Sequence, residues 1–251
     1  MQFLRKRFRW ILMAGIGALL IVMENYDTEP FFSLFTFIYF MVIFFWIIRE
    51  LRSLIRLRNE KAKTELLHLK SQVNPHFFFN TLNNLYGWVE KDGKKAQELI
   101  LKLSDMMRYS IYDGQKDWVT LEEEIDYLKN YTELHRMRYH KEIDIRFNVN
   151  IETEGYKVMP LLFIILLENA FKHGVENLRE NAYVHIEFNA TSKSIQFIVE
   201  NNFDAEDVRE GTGIGLENLK RRLELVYPYK HSLTFSSSGD MYRARLILKH
   251  L

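Results

Sequence analysis

The uncharged run Phe31 to Ile48, FFSLFTFIYFMVIFFWII, constrains this chain more than any other segment. As an α-helix it extends about 27 Å, close to the roughly 30 Å hydrocarbon core of a bilayer. A second uncharged run, Trp10 to Met23, precedes it. That run reaches only about 21 Å, so to span it must borrow Phe8 and a snorkelling Arg9 or thin the bilayer. Arg5, Lys6, Arg7 and Arg9 stand before the pair and Arg49, Arg52, Arg56 and Arg58 after it, whereas the short connection carries Glu24, Asp27 and Glu29. The leading basic residues also fit a signal peptide, but a second apolar run follows at once and Glu24-Asn25 lacks a small-residue cleavage pattern. The expectation is a transmembrane helical hairpin over residues 1–48, multi-pass in the cell inner (cytoplasmic) membrane, with both chain ends cytoplasmic.

The rest of the chain is long enough for a core of its own. With 34 basic against 33 acidic residues there is no electrostatic footprint for nucleic acid, and no direct nucleic-acid partner is expected. Cysteine is absent, which excludes disulfides, thiolate catalysis and cysteine zinc sites.

From Arg49 to Lys70 the pattern is charged and helical, with Leu51, Ile55, Ala62, Leu66 and Leu69 as a sparse apolar seam. It suits a signalling helix paired with a partner helix and equally a solvated connector. Lys91-Asp92-Gly93-Lys94 breaks the helix that follows. Leu99, Leu103 and Met106 mark the next helix, closed by Tyr112-Asp113-Gly114. These two helices suit a hairpin with one long face left for self-association. Thr120-Leu121-Glu122-Glu123 is a capping-box pattern opening a third helix through Tyr127, Leu128, Tyr131 and Leu134. Alternation then signals strands at Ile143–Val149, Tyr183–Phe188 and Ile195–Val199, and a pair at Leu233–Phe235 and Tyr242–Leu248. Helices are expected at Pro160–His173 and Leu216–Val226. The fold class is α+β, with residues 49–140 helical and residues 141–251 carrying helices on one face of a sheet.

Three places could carry chemistry. In Leu69 to Leu85, LKSQVNPHFFFNTLNNL, a lone His76 sits between a proline and three phenylalanines. Ala62, Leu66, Leu69, Val73, His76 and Asn80 also describe one helical stripe, so a packed core histidine stands beside a reactive one. In the expected Pro160 helix an apolar run is followed by Glu168, Asn169, Lys172 and His173. Asn169 continues the face of Leu162, Ile165 and Leu166, and an unpaired buried amide costs about 1–3 kcal/mol, which calls for a partner such as a metal ion or phosphate. An ordinary polar helix end capped by Gly174 is the alternative. Finally, Gly211-Thr212-Gly213-Ile214-Gly215 opens a helix whose amides and dipole suit an anion, though a flexible turn explains the glycines too. It lacks the Gly-Lys-Ser/Thr of a Walker A loop.

Taken in order, QVNPHFFFNTLNNL, RYS, VTLEEEIDYLKNYTELHRMRY, the segment ending ENAFKHG and GTGIGLENLKRRLELVYP resemble the LytS-like sensor histidine kinases, over about residues 65 to 251. The resemblance implies that His76 is the phosphoacceptor, that residues 49–140 hold the dimerisation and phosphoacceptor helices, and that residues 141–251 form a GHKL (Bergerat) α/β sandwich using ATP and Mg. It matches Asn169 to the magnesium-binding asparagine, with Glu168, Lys172 and His173 in the same nucleotide-facing box. Gly211, Gly213 and Gly215, with Leu216, match the glycine box, and Asn218 and Arg222 the helix after it. It also implies a homodimer within the lipid bilayer and a response-regulator partner, of LytTR type by family.

Three departures bear on mechanism. Asn201 takes the position of the adenine-reading aspartate and the glycine after it is missing, so binding by an amide lacks charge assistance. Asp240-Met241-Tyr242 stands where many relatives have Gly-Thr, and Phe77 rather than an acidic residue follows His76. Asn80, one turn on, is the candidate to orient a water or the phosphoryl group, or else packs. The expected function is a two-component sensor kinase that autophosphorylates His76. The alternative is a non-catalytic, nucleotide-binding scaffold.

Overall fold

The computed structural model describes Ala14, Gly15, Gly17, Ile21 and residues 29–70, 75–139, 141–152, 155–204 and 213–249, and the side chains of residues 29–33, 35, 67–70, 75 and 76 lie outside that description. The chain divides into two compact units, Met1–Lys63 and Thr64–Leu251.

The first unit holds most of helix α1 (Glu29–Lys70). Phe37, Phe40, Val42, Phe44, Phe45 and Ile47 on it are all exposed, so its apolar surface runs around the helix rather than along one stripe. Gly15 lies against the ring of Tyr39, where a Cβ would fall 2.1 Å from Cε2. Most of the Trp10–Met23 run, and the connection through Glu24 and Asp27, lie outside the described residues. Among the described residues no helix is long and apolar enough to cross a membrane.

In the second unit, α2 (Pro75–Lys91) begins on a proline, whose missing N–H costs nothing at a helix start. Asp92 then caps α3 (Gly93–Ile111), its carboxylate accepting from the Lys95 amide at 3.0 Å. Phe77, Phe78 and Leu85 of α2 and Leu99, Leu103 and Met106 of α3 are buried together. A two-residue strand, β1 (Val119–Thr120), leads into α4 (Leu121–Arg138) through the expected capping box. The Glu123 amide donates to Thr120 Oγ1 at 3.2 Å, and the Thr120 amide to Glu123 Oε2 at 2.7 Å.

Strands β2 (Ile143–Ile151), β4 (Ala182–Thr191), β5 (Ser194–Asn202), β6 (His231–Ser238) and β7 (Met241–Lys249) form one sheet in the order β2-β4-β5-β7-β6. The β2–β4 pair is parallel and the others antiparallel. β3 (Lys157–Val158) pairs instead with β1, a two-residue ladder too short to leave a periodic signal. Burial alternates along β4 and β5, so one face is apolar: Val184, Ile186, Phe188, Ile195, Phe197 and Val199. Phe163 seats on that face, 5.1 Å from the rings of both Phe188 and Phe197. Over it lie α5 (Ile164–Ala170) and α6 (Ile214–Val226), giving helices on one face of a mixed sheet. The helix expected from Pro160 begins only at Ile164, because Leu161 takes a left-handed backbone with φ 55°.

Candidate nucleotide and phosphoacceptor site

Helix α5 does not stop at Ala170 but widens into a π-helical turn, Phe171–Val175, a departure that recurs at functional sites. The turn brings Gly174 down onto the end of β5. A Cβ there would fall 2.4 Å from Asn201 Nδ2 and 2.6 Å from the Asn202 carbonyl oxygen, so only glycine allows the approach. Gly174 therefore serves close packing, not the C-cap role that the alternative reading of this helix end gave it. Asn201 is 2 % exposed; its Nδ2 donates to the Asn202 carbonyl at 3.0 Å, while its Oδ1 is buried with no partner. The amide is thus held with an acceptor on offer. Asn202 is fully engaged, accepting from the Tyr183 amide at 2.8 Å and donating to the Asn181 carbonyl at 2.7 Å.

Asn169, expected to be buried, has its Nδ2 buried without a partner. Glu168 is half-buried beside it, and Lys172 and His173 are exposed. Gly213 caps α6 with an extended backbone, and Gly215 in its first turn faces Ile165, one turn before Asn169 on α5; a Cβ at Gly215 would lie 3.7 Å from Ile165 Cγ2. Leu216 packs on the core and Asn218 is half-buried. Gly211 lies outside the described residues. The π-turn therefore touches the end of β5, and the start of α6 touches α5 one turn before Asn169. Among the described residues no three His, Asp or Glu side chains cluster to hold a metal ion. Magnesium asks for less, commonly one or two protein oxygens completed by substrate phosphates and water. The orphaned Asn201 Oδ1 is an acceptor suited to an adenine amino group, and the orphaned Asn169 Nδ2 is a donor suited to a phosphate oxygen; magnesium would need the Asn169 Oδ1 instead.

The backbone of His76 is the second residue of α2, and its side chain lies outside the described residues. Phe77 and Phe78 beside it are buried, Phe79 is exposed, and Asn80 is half-buried. Thr81 closes on its own helix, its hydroxyl donating to the Phe77 carbonyl at 2.8 Å.

Sequence reasoning passed over His135. Its ring lies 5.1 Å from Phe77, 4.4 Å from Tyr131 and 4.5 Å from Phe171, joining α2 to the π-turn through aromatic contacts. Both ring nitrogens are buried without partners. Burial, with a smaller push from Arg138, lowers its pKa from 6.5 to about 3. The unfolded chain therefore takes up the proton first: the stability from burying a neutral ring is complete above pH 6.5 and lost as pH falls toward 3. At pH 5 the expected loss is about 2 kcal/mol. Urea unfolding at pH 7.5 and pH 5 measures it, and in His135→Leu the difference should shrink; an unchanged pH dependence contradicts the assignment.

Sequence reasoning placed Arg222 by resemblance on the helix after the glycine box. Its guanidinium turns inward instead, donating to the carbonyls of Leu161 at 2.8 Å and Pro160 at 2.7 Å. Glu124, the third glutamate of the capping-box run, is fully buried with it.

Residues 64–143 match the family model described as histidine kinase. The chain is 31 % identical over 186 residues to the sensor protein LytS of Staphylococcus saprophyticus, covering 69 % of this chain and 32 % of that protein. It is 30 % identical over 190 residues to the sensor histidine kinase/phosphatase LytS of Staphylococcus aureus strain MRSA252, covering 70 % and 32 %. It thus spans about a third of the length of the curated relatives it matches. A histidine kinase domain from the blue-light activated kinase EL346 of Erythrobacter litoralis aligns over 75 % of this chain and 95 % of that one, at 15 % identity and a TM-score of 0.41. Residues 64–143 thus belong to the histidine kinase family, in a chain whose matched length is similar to the LytS sensor proteins.

Proposed function

We propose that this chain is a membrane-anchored, homodimeric sensor histidine kinase of a two-component system. It phosphorylates His76 from ATP with magnesium and passes the phosphoryl group to an aspartate of a response regulator, of LytTR type by family resemblance. The observation that carries this reading is the unpartnered Asn201 Oδ1, held against the π-turn that continues the Asn169 helix, with the start of α6 packed on that same helix at Ile165. In a GHKL sandwich of this kind Asn201 Oδ1 accepts from the adenine amino group. Asn169 holds magnesium through its amide oxygen, with Glu168, Lys172 and His173 flanking it, and the Gly211–Gly215 loop, Leu216 and Asn218 border the phosphates. When bound, magnesium supplies charge neutralisation at the phosphates.

A neutral His76 nitrogen is the nucleophile. By helix register residue 76 shares a face with Phe79, Asn80 and Asn83. Asn80 on that face orients the phosphoryl group. The exposed apolar residues Phe79, Leu82, Tyr86 and Val89 of α2 and Ile100, Met107 and Ile111 of α3 supply the dimer surface. Anchoring by a hairpin within residues 1–48 is supported by the exposed aromatic surface of α1 and the packing of Gly15 on Tyr39. Everything after Arg49 then lies in the cytoplasm.

Incubating the detergent-solubilised chain with γ-labelled ATP and magnesium should give acid-labile label in the wild type and none in His76→Gln. Label retained in His76→Gln sinks the assignment. Nucleotide binding without any label would favour the non-catalytic scaffold, whose supporting observation is the neutral Asn201 in place of an aspartate.

A further inference from the structure

Leu161 holds a backbone φ of 55°, a conformation that a bulky residue adopts only where its surroundings enforce it, most often near functional sites. Here it is gripped from both sides. Glu124 of α4 accepts from the Leu161 amide through Oε1 at 2.6 Å and from the Leu162 amide through Oε2 at 3.2 Å. The Tyr109 hydroxyl of α3 donates to the same Oε1 at 2.6 Å. Arg222 of α6 holds the carbonyls of Pro160 and Leu161. One turn is thereby fastened to α3, α4 and α6 at once. Ile164, three residues on, starts the helix that carries Glu168 and Asn169, and Arg222 stands on the helix that Gly213 caps.

From this placement we infer that Glu124 and Arg222 are positioning residues of the nucleotide site, holding the strained Pro160–Leu162 turn so that the Asn169 segment and the start of α6 keep the separation a nucleotide needs. Tyr109 extends the grip into α3, so the packing of that helix sets nucleotide affinity. The inference rests on the nucleotide-site reading above. Stability alone does not account for the arrangement: well-packed apolar residues commonly replace buried charged groups without loss, and glycine at 161 would remove the backbone strain.

The test is calorimetric titration of the full chain in detergent with a non-hydrolysable ATP analogue and magnesium, alongside urea unfolding. Glu124→Gln is expected to weaken binding about tenfold and Tyr109→Phe about threefold, since each removes or misdirects hydrogen bonds at a buried carboxylate. In Glu124→Gln with Leu161→Gly the turn no longer needs enforcing. Affinity should then return to within about twofold of wild type, while the unfolding midpoint falls further because the buried Leu161 side chain is gone. Affinity and stability moving in opposite directions is what a mere staple does not produce. Should Glu124→Gln fail to fold, Tyr109→Phe, which deletes one hydroxyl, decides the matter. Folded variants binding with wild-type affinity, or a double variant losing affinity and stability together, overturn the inference while wild-type binding stands. A wild type that does not bind the analogue overturns the nucleotide-site reading itself, and this inference with it.

Discussion

Gly174→Ala is expected to destabilise the second unit by about 3 kcal/mol and to weaken nucleotide binding more than tenfold. The methyl group would fall 2.4 Å from Asn201 Nδ2 and 2.6 Å from the Asn202 carbonyl, one a pinned amide and the other backbone. Neither yields cheaply. Asn201 Nδ2 is tied to the Asn202 carbonyl, and Asn202 in turn holds Tyr183 and Asn181, so the end of β5 cannot retreat alone. The π-turn must lift instead, carrying Lys172 and His173 with it and opening the contact that orients Asn201 Oδ1. Calorimetric titration with an ATP analogue and urea unfolding would measure both effects. Wild-type affinity in a folded Gly174→Ala would mean that the π-turn and Asn201 do not share a site.

Arg222→Leu should cost about 2–4 kcal/mol at pH 8, because it strips the Pro160 and Leu161 carbonyls of their buried donors and removes a nearby cation from the buried Glu124 carboxylate. Burial lowers the Arg222 pKa to about 10, so the guanidinium remains charged at neutral pH. Burial likewise pushes the Glu124 carboxyl up, against the pull of Tyr109, Leu161, Leu162 and Arg222. With the cation removed that upward shift grows, and the folded variant takes up a proton that the unfolded chain at the same pH does not. The stability deficit is therefore largest above the folded pKa and shrinks as pH falls toward the ordinary carboxylate range. Unfolding Arg222→Leu and wild type at pH 8 and pH 5.5 checks the sign; a deficit that grows on acidification contradicts it. Adding Glu124→Leu should recover part of the loss, since the orphaned charge is then gone.

The parts legible in the sequence were those set by local chemistry. Thr120 and Glu123 announce their capping box through side chains three residues apart, and Asp92 its helix start. The alternation in β2, β4 and β5 follows from one buried face. Leu161 was illegible because Leu161 to Leu167 is uniformly apolar, and an unbroken run carries no mark where a backbone turns left-handed. Gly174 looked like a cap because its need for close approach comes from Asn201 on a distant strand. Glu124 drew no reading of its own and Arg222 only a place by resemblance on the helix after the glycine box; their burial against the same turn gives them a role. The order of motifs assembled the candidate site, and the orphaned acceptor of Asn201 became visible only when β5 met the π-turn.

The most direct measurement of the central claim is the location of the phosphoryl group. The full-length chain, incubated with ATP and magnesium and digested at neutral to mildly alkaline pH to preserve phosphohistidine, can be read by tandem mass spectrometry of the peptide spanning residues 71–91. The account predicts a phosphohistidine at His76, lost when the same digest is acidified and absent from Asn169→Ala. A phosphoryl group on another residue, or an unmodified His76 in a chain that binds and consumes ATP, would contradict it.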